Sequence, residues 1–486
     1  MNIVHIHHQG RAHAIKASPG QSVMHALLAH NYKIPTPCAG NGTCGKCAVN
    51  TPDGTVLACQ TQATDGMEIF LTATADEAMA INDTYETIRP IACDRDKGHG
   101  IAIDIGTTTL AFELVNMATG KRLSAYSAAN SQRNLGADVI TRIKQATQGA
   151  QAELNNLIVK DIRNGIAQIL QKSGLPPGSI TYVSIAGNTT MLHLLQNLSC
   201  DGLGVYPFTP IDIAIRRCNF ADVFGPGILN AQLIILPGIS TFVGADITGG
   251  ILCCHNPHET ALLIDLGTNG EMALFAPDQV LVTSTAAGPA FEAGNISQGI
   301  AGIPGAIAKT YYSPENNVFV YETIQNAPAI GICGTGVMDI AAELVRHKLA
   351  DETGRLENDA VIAKGITFTQ KDLREIQLAK SAIRSGIEIL LEMGGYSYND
   401  IGKVYLAGGF GHKINMDSAV ALGLIPAALA GKVLAVGNTA LGGAAHVLLS
   451  RVAEEAAIAL AGNAKEVNLS THPRFNDFFM EYMMFE

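Results

Sequence analysis

Residues 101–115, IAIDIGTTTLAFELV, and residues 262–276, LLIDLGTNGEMALFA, carry one pattern twice: an apolar strand, Asp-x-Gly-Thr, then a second strand. Asp104 aligns with Asp265, Gly106 with Gly267 and Thr107 with Thr268. A unit that recurs after about 160 residues implies two related lobes facing each other across a cleft. Tight turns of small residues expose backbone N–H groups that line up on phosphate oxygens. The first turn is Gly106, Thr107, Thr108 and Thr109; the second is Gly267, Thr268, Asn269 and Gly270. Facing one another, they would clamp the phosphates of one nucleotide around Mg²⁺, with Asp104 and Asp265 holding the ion through water. Chemistry in such a cleft is positioning and charge neutralisation. Glu271 would orient water or face solvent, and the loop 286–305, with Glu292, would touch nucleotide or partner.

Further stretches fit a nucleotide cleft. KVYLAGGFG (403–411) ends a strand in Gly408-Gly409, where bare backbone lets adenosine lie close. AIGICGTGVMDIAAELV (329–345) is a strand, a turn with Gly334 and Gly336, then a helix whose N-terminus favours anions. VGNTALGGAAHVLL (436–449) is a small-residue helix suited to close packing between lobes. The set, in this order, resembles the superfamily of acetate and sugar kinases, heat-shock chaperone ATPases and actin. That resemblance implies an RNase H-like ATPase with one α/β lobe over 100–255 and a second over 256–486.

Upstream, PCAGNGTCGKCAVNTPDGTVLACQT spaces Cys38, Cys44, Cys47 and Cys59 as C-x5-C-x2-C-x11-C. Four thiolates suit an iron–sulfur cluster, and small loop residues let backbone N–H groups approach the sulfurs. The same ligands suit zinc, but structural zinc sites commonly pair two CxxC units and only one occurs here. Around the loop, MNIVHIHHQ and RAHAIKA alternate as a hairpin about Gln9-Gly10, Ser22 caps a short helix, and VLACQT and MEIFLTA read as strands. Loop and element order resemble the β-grasp of plant-type and adrenodoxin-type ferredoxins, over residues 1–76, which implies a [2Fe–2S] cluster. The fold class is thus α/β with a small α+β domain at its N-terminus. Residues 77–99 gather charge, Pro and Gly and read as a linker.

The 486 residues suffice for two or three domains. A net charge of −11 with no basic stripe disfavours nucleic acid. The apolar stretch 418–450 is broken by Pro426, Lys432 and several glycines, so no membrane span is expected. Without an n-region and h-region the chain reads as a reducing, cytoplasmic protein. The remaining cysteines, Cys93, Cys200, Cys218, Cys253, Cys254 and Cys333, read mostly as small buried hydrophobes.

A ferredoxin unit fused to this ATPase resembles the reductive activators of corrinoid proteins. Beyond the turns, the likeness rests on GADVITRI (136–143), SIAGNTTMLHLL (184–195), LPGISTFVGADITGGIL (236–252), STAAGPAFEAGNISQGI (284–300) and GLIPAALAGKVLAVGNTALGGA (423–444). The resemblance implies ATP-dependent transfer of one electron from the cluster to the Co(II) corrinoid of a methyl-carrier protein, restoring Co(I). It further implies a corrinoid protein as partner, a low-potential electron donor and a homodimer. Longer members carry a middle domain, which this chain is expected to lack. Alternatives are a ferredoxin-regulated small-molecule kinase, an activator of a radical dehydratase, and a nucleotide-sensing electron carrier for another acceptor.

Overall fold

The computed structural model describes residues 1–8, 11–30, 32, 34, 40, 42, 47–71, 85–86, 91–95, 98–267, 269–411 and 414–485. Cys38, Cys44, Thr268, the Gln9-Gly10 turn and much of the 77–99 linker lie outside the described residues.

At the N-terminus, strands Asn2–His8 and Arg11–Ala17 pair antiparallel, and Asn2–His8 runs parallel to Met67–Leu71. Ala48–Thr51 and Gly54–Leu57 complete a five-stranded sheet. Alternation puts Val4, Ile6, Ile15 and Ile69 on the inner face, against Val23 and Leu27 of helix Val23–Ala29. That helix begins at Ser22, whose Oγ accepts from His25 N.

The repeated sequence builds two sheets of matching topology. Strands His99–Ile105, Thr109–Asn116 and Arg122–Ala129 form an antiparallel meander, extended by parallel Ile180–Gly187 and Gln232–Ile235 and edged by Arg216–Asn219. Ala261–Leu266, Gly270–Phe275 and Val280–Thr285 form the second meander, extended by parallel Lys403–Ala407 and Val433–Gly437 and edged by Lys465–Glu466. Unbroken apolar runs such as Leu262–Leu263–Ile264, all 0% exposed, form strands buried on both faces.

One long helix covers each meander. Gln151–Ser173 ends at Gly174 in the left-handed conformation; Gln370–Gly394 starts at a Thr369–Asp372 capping box and ends at left-handed Gly395. A Cβ on Gly165 would lie 2.2 Å from Phe112 Cζ, and one on Gly386 2.2 Å from Met272 Cε, so each helix approaches its sheet through a glycine. The opposite faces are covered by helices that cross over. Helix Ala245–Cys254 follows the first sheet in sequence yet packs beneath Leu263 and Phe275 of the second. Helix Thr439–Leu449 follows the second yet packs on the first, where Ser184 Oγ donates to Ala444 O at 2.7 Å. The two helices meet glycine to glycine: a Cβ on Gly443 would stand 2.2 Å from Gly249 Cα. Among the described residues no helix is long and apolar enough to cross a membrane.

The described part of the linker is docked on both lobes. Tyr85 bridges the edge of the second sheet at Gly437, Glu86 N donates to Val436 O at 3.0 Å, and Tyr85 Oη donates to Glu113 Oε1, in the first sheet, at 3.2 Å. Asp94 accepts from Ser450 Oγ at 2.8 Å and Arg451 N at 2.7 Å, capping helix Arg451–Asn463. Arg95 and Arg217 both pair with the buried Glu454. Glu454→Ala strands the buried Arg95 guanidinium, so denaturant melts should show a loss of about 3–5 kcal/mol.

Candidate functional site: twin turns and a thiol loop

Each Asp of the repeat ends a central strand, between a hairpin partner and a parallel neighbour. Asp104 pairs with Ala111 on one side and Ala186 on the other; Asp265 pairs with Glu271 and Ala407. One parallel neighbour ends in Gly187 and the other is followed directly by Gly408. A Cβ on Gly187 would lie 2.8 Å from Ile105 O, and one on Gly408 would lie 2.6 Å from Leu266 O and 2.8 Å from Asp265 Oδ1. Gly187-Asn188 is therefore the structural twin of Gly408-Gly409, with Gly409 in the single turn Gly408–Gly411.

The turns close as expected. Gly106 N donates to Thr109 O at 3.0 Å and Gly267 N to Asn269 O at 3.1 Å. A Cβ on Gly106 would lie 2.7 Å from Thr109 O, so only glycine fits there. Thr107 Oγ1 accepts from Asn188 Nδ2 at 3.0 Å, and Asn269 Nδ2 donates to Glu271 Oε1 at 3.2 Å. A cavity of 430 Å³ opens beside them, lined by Asn188, Asn269, Glu271 and Ser284 and by apolar Ile143 and Phe242.

Four carboxyls gather at the turns: Asp104, Asp246, Asp265 and Glu271. Burial pushes Asp104 up to about 7, with Asp246 adding to the shift and the Asn438 amide, which donates to Asp104 Oδ2 at 2.9 Å, opposing it. Burial raises Asp246 to about 6. Asp265 rises to about 8 through burial, then through Asp246, Asp104 and Glu292. Glu271 lies well above the ordinary carboxylate range, from burial and then Asp246 and Asp265. Asp246 thus acts on the other three. Such a concentration of acid in a low-dielectric cleft is neutralised best by a divalent cation bound with oxygen ligands.

Gly334 and Gly336 open helix Gly334–Arg346, which packs against the 289–292 turn carrying Glu292. A Cβ on Gly336 would lie 2.2 Å from Ile307 O, so that glycine is needed for packing against strand Ala306–Ser313. Sequence reading passed over Asn188, Asp246 and Asn438. A signal for them existed: Ala186-Gly187-Asn188 parallels Ala407-Gly408-Gly409, and VGADITGG (243–250) parallels VGNTALGG (436–443).

In the N-terminal loop, Cys47 and Cys59 bring their sulfurs to 3.2 Å without a disulfide. Cys59 sits in the turn after strand Gly54–Leu57 rather than on it, since Gln60 N turns back to Leu57 O at 2.9 Å. Gly40 and Gly42 are both left-handed, and their Cβ atoms would meet Met24 Cε at 2.8 Å and Gln60 Nε2 at 2.7 Å. Converging thiols in a loop with no room for side chains fit an iron–sulfur cluster.

Such a chain is a small ferredoxin-like unit joined to two lobes built on the same strand-turn-strand plan, with buried carboxyls at their turns. Residues 6–69 match the family described as 2Fe-2S iron-sulfur cluster binding domain, 99–257 the RACo middle region, and 259–486 the C-terminal domain of RACo, the ASKHA domain. Corrinoid activation enzyme RamQ of Eubacterium limosum is 33% identical over 420 residues, 80% of this chain and 70% of that protein. The Co(II) methylated amine-specific corrinoid protein reductase of Methanosarcina barkeri is 27% identical over 419 residues, 79% of this chain and 76% of that one. A solved reductive activator for corrinoid, iron–sulfur protein aligns with a TM-score of 0.72 at 26% identity, covering 100% of this chain and 98% of that one. The chain belongs to the family of reductive activators of corrinoid proteins. The expectation of a missing middle domain is corrected: residues 99–257 are the family's middle region. Because that region itself carries the first Asp-x-Gly-Thr turn, it reads in sequence as an ATPase lobe.

Proposed function

We propose that this protein uses ATP to pass one electron from a [2Fe–2S] cluster to the Co(II) corrinoid of a methyl-carrier protein, restoring Co(I). The observation that carries the reading is the union, in one member of this family, of a converging thiol loop with twin turns around an acidic cleft. Cys38, Cys44, Cys47 and Cys59 would hold the cluster, which supplies the electron when bound. Asp104 and Asp265 would hold Mg²⁺ through water, the turns at 106–109 and 267–270 would take the phosphates, and Gly408 and Gly409 would face adenosine. Glu271 and Asp246, at the same cleft, would order the attacking water.

Coupling is needed on energetic grounds. Plant-type clusters sit near about −400 mV. An acceptor about 100 mV lower costs about 2.3 kcal/mol for one electron, within the roughly 1–3 kcal/mol of typical coupling between sites. The described linker, fastened to both sheets at Tyr85, gives lobe movement a route to the ferredoxin.

The division into 1–76, 77–99, 100–255 and 256–486, a low-potential electron donor, a homodimer and a cytoplasmic setting belong to the same proposal. A second reading, phosphoryl transfer to a small acceptor, draws on the 430 Å³ cavity beside Glu271.

The test is anaerobic: reduced protein is mixed with Co(II) carrier proteins and the Co(I) absorption band followed with and without Mg-ATP. An ATP-dependent rise, lost in Cys47→Ser together with the cluster's visible absorption, is expected. No Co(I) with several carriers while the cluster stays reduced overturns the proposal. ADP formation that depends on a small acceptor would favour the second reading.

A further inference from the structure

Arg142, on helix Val139–Gln145, is 0% exposed and is among the largest side chains buried in the molecule. Its Nε donates to Gly136 O at 2.8 Å, Nη1 to Gln132 Oε1 at 3.3 Å, and Nη2 to Thr107 O; Met191 Sδ lies 3.0 Å from Nη1. Every one of these partners is neutral. Asp138, the acid that acts on it, is engaged in capping its own helix through Thr141 N at 2.7 Å and Thr141 Oγ1 at 2.8 Å. Burial lowers the guanidinium to about 9. A buried charge with no ion partner is destabilising by itself, so its place next to the first turn calls for a reason.

The first three carbonyls of that turn are tied from behind. Gly106 O accepts from Asn130 Nδ2 at 2.9 Å, Thr107 O from Arg142, and Thr108 O from Asn130 N at 2.9 Å. In a trans peptide the C=O and the following N–H point in opposite directions. Holding Gly106 O therefore aims the Thr107 amide away from the interior, and holding Thr107 O aims the Thr108 amide likewise. Among the described residues neither amide donates to a protein acceptor.

We propose that Arg142 is a positioning residue for nucleotide phosphate: it fixes the Thr107–Thr108 peptide so that Thr108 N–H meets a phosphate oxygen, and its charge, one peptide behind, complements the anion. The inference rests on the reading of 106–109 as a phosphate turn.

The test compares Mg-ATP and adenosine binding by calorimetry, with thermal melts, for the full-length chain and for Arg142→Met and Arg142→Lys. Arg142→Met should weaken ATP by about 10–100-fold, leave adenosine unchanged and leave the melting temperature equal or higher. Arg142→Lys, which keeps the charge without the fork, should fall between. Unchanged ATP affinity in Arg142→Met overturns the inference. So does parallel loss of ATP and adenosine with a lowered melting temperature, which marks a merely structural arginine. If Arg142→Met does not fold, Arg142→Lys decides: a several-fold loss confined to ATP supports the inference, and wild-type affinity overturns it. Failure of the wild type to bind Mg-ATP instead removes the phosphate-turn reading itself.

Discussion

Asp265→Asn is expected to lower ATP turnover by about 10²–10³-fold, the loss typical when one fixed electrostatic group is removed from an active site, while the fold becomes no less stable. Asp265 stands directly across the hairpin from Glu271 and feels Asp246, Asp104 and Glu292 as well. Burial, and then the neighbouring carboxyls, penalise the charged form of Asp265, so an uncharged residue of the same shape removes that penalty in the unliganded protein. Asn also respects the tight fit, because Gly408 leaves space for the Asp265 side chain only by lacking a Cβ. Phosphate release and a thermal melt on the same preparation separate the two effects. Wild-type turnover in this variant would remove Asp265 from the site. A large fall in melting temperature would mean that the carboxylate stabilises the sheet and that the acidic cleft is not held under repulsion.

A large stability effect is also expected at Gly443. An Ala there would press its Cβ to 2.2 Å from Gly249 Cα and 2.3 Å from Gly249 O, backbone atoms that no side-chain rotation can move aside. Overpacking commonly costs about 1–3 kcal/mol, and a backbone-to-backbone clash places Gly443→Ala at or above the upper end. Gly462, on helix Arg451–Asn463, is the control, since nothing lies within 4 Å of its Cβ position. Gly462→Ala should stabilise by about 0.5–1 kcal/mol through reduced freedom of the unfolded chain. Urea midpoints measured side by side give both signs. Equal midpoints for Gly443→Ala and wild type would mean that the helices part without cost.

Much of this architecture can be read from short motifs whose chemistry is local. Asp-x-Gly-Thr announces its own hairpin, because Gly106 admits Thr109 O where no side chain would fit. Cysteine spacing and the glycines around it likewise bring Cys47 and Cys59 together. What sequence hides is convergence. Asp246 lies at a helix start outside both motifs, far from Asp104 in sequence, and the folding of helix 245–254 beneath the second sheet brings it to Asp265. Asn438 reaches Asp104 across 334 residues. The linker's composition gave no hint that Tyr85 and Asp94 would be pinned, since their partners Glu113, Gly437 and Ser450 are set by tertiary contacts.

The crossed helices also set a timetable for synthesis. The five-stranded sheet is complete once Leu71 has been made. The first large sheet must wait: the helix that covers its inner face donates no residue before Thr439, and Ser184 finds its acceptor 260 residues downstream. On a ribosome adding about 5–20 residues per second, that face stays uncovered for roughly 10–50 s after its own strands have emerged. A chain interrupted anywhere in that interval would carry a finished electron carrier attached to an unfinished nucleotide cleft, with a broad apolar surface open to chaperones.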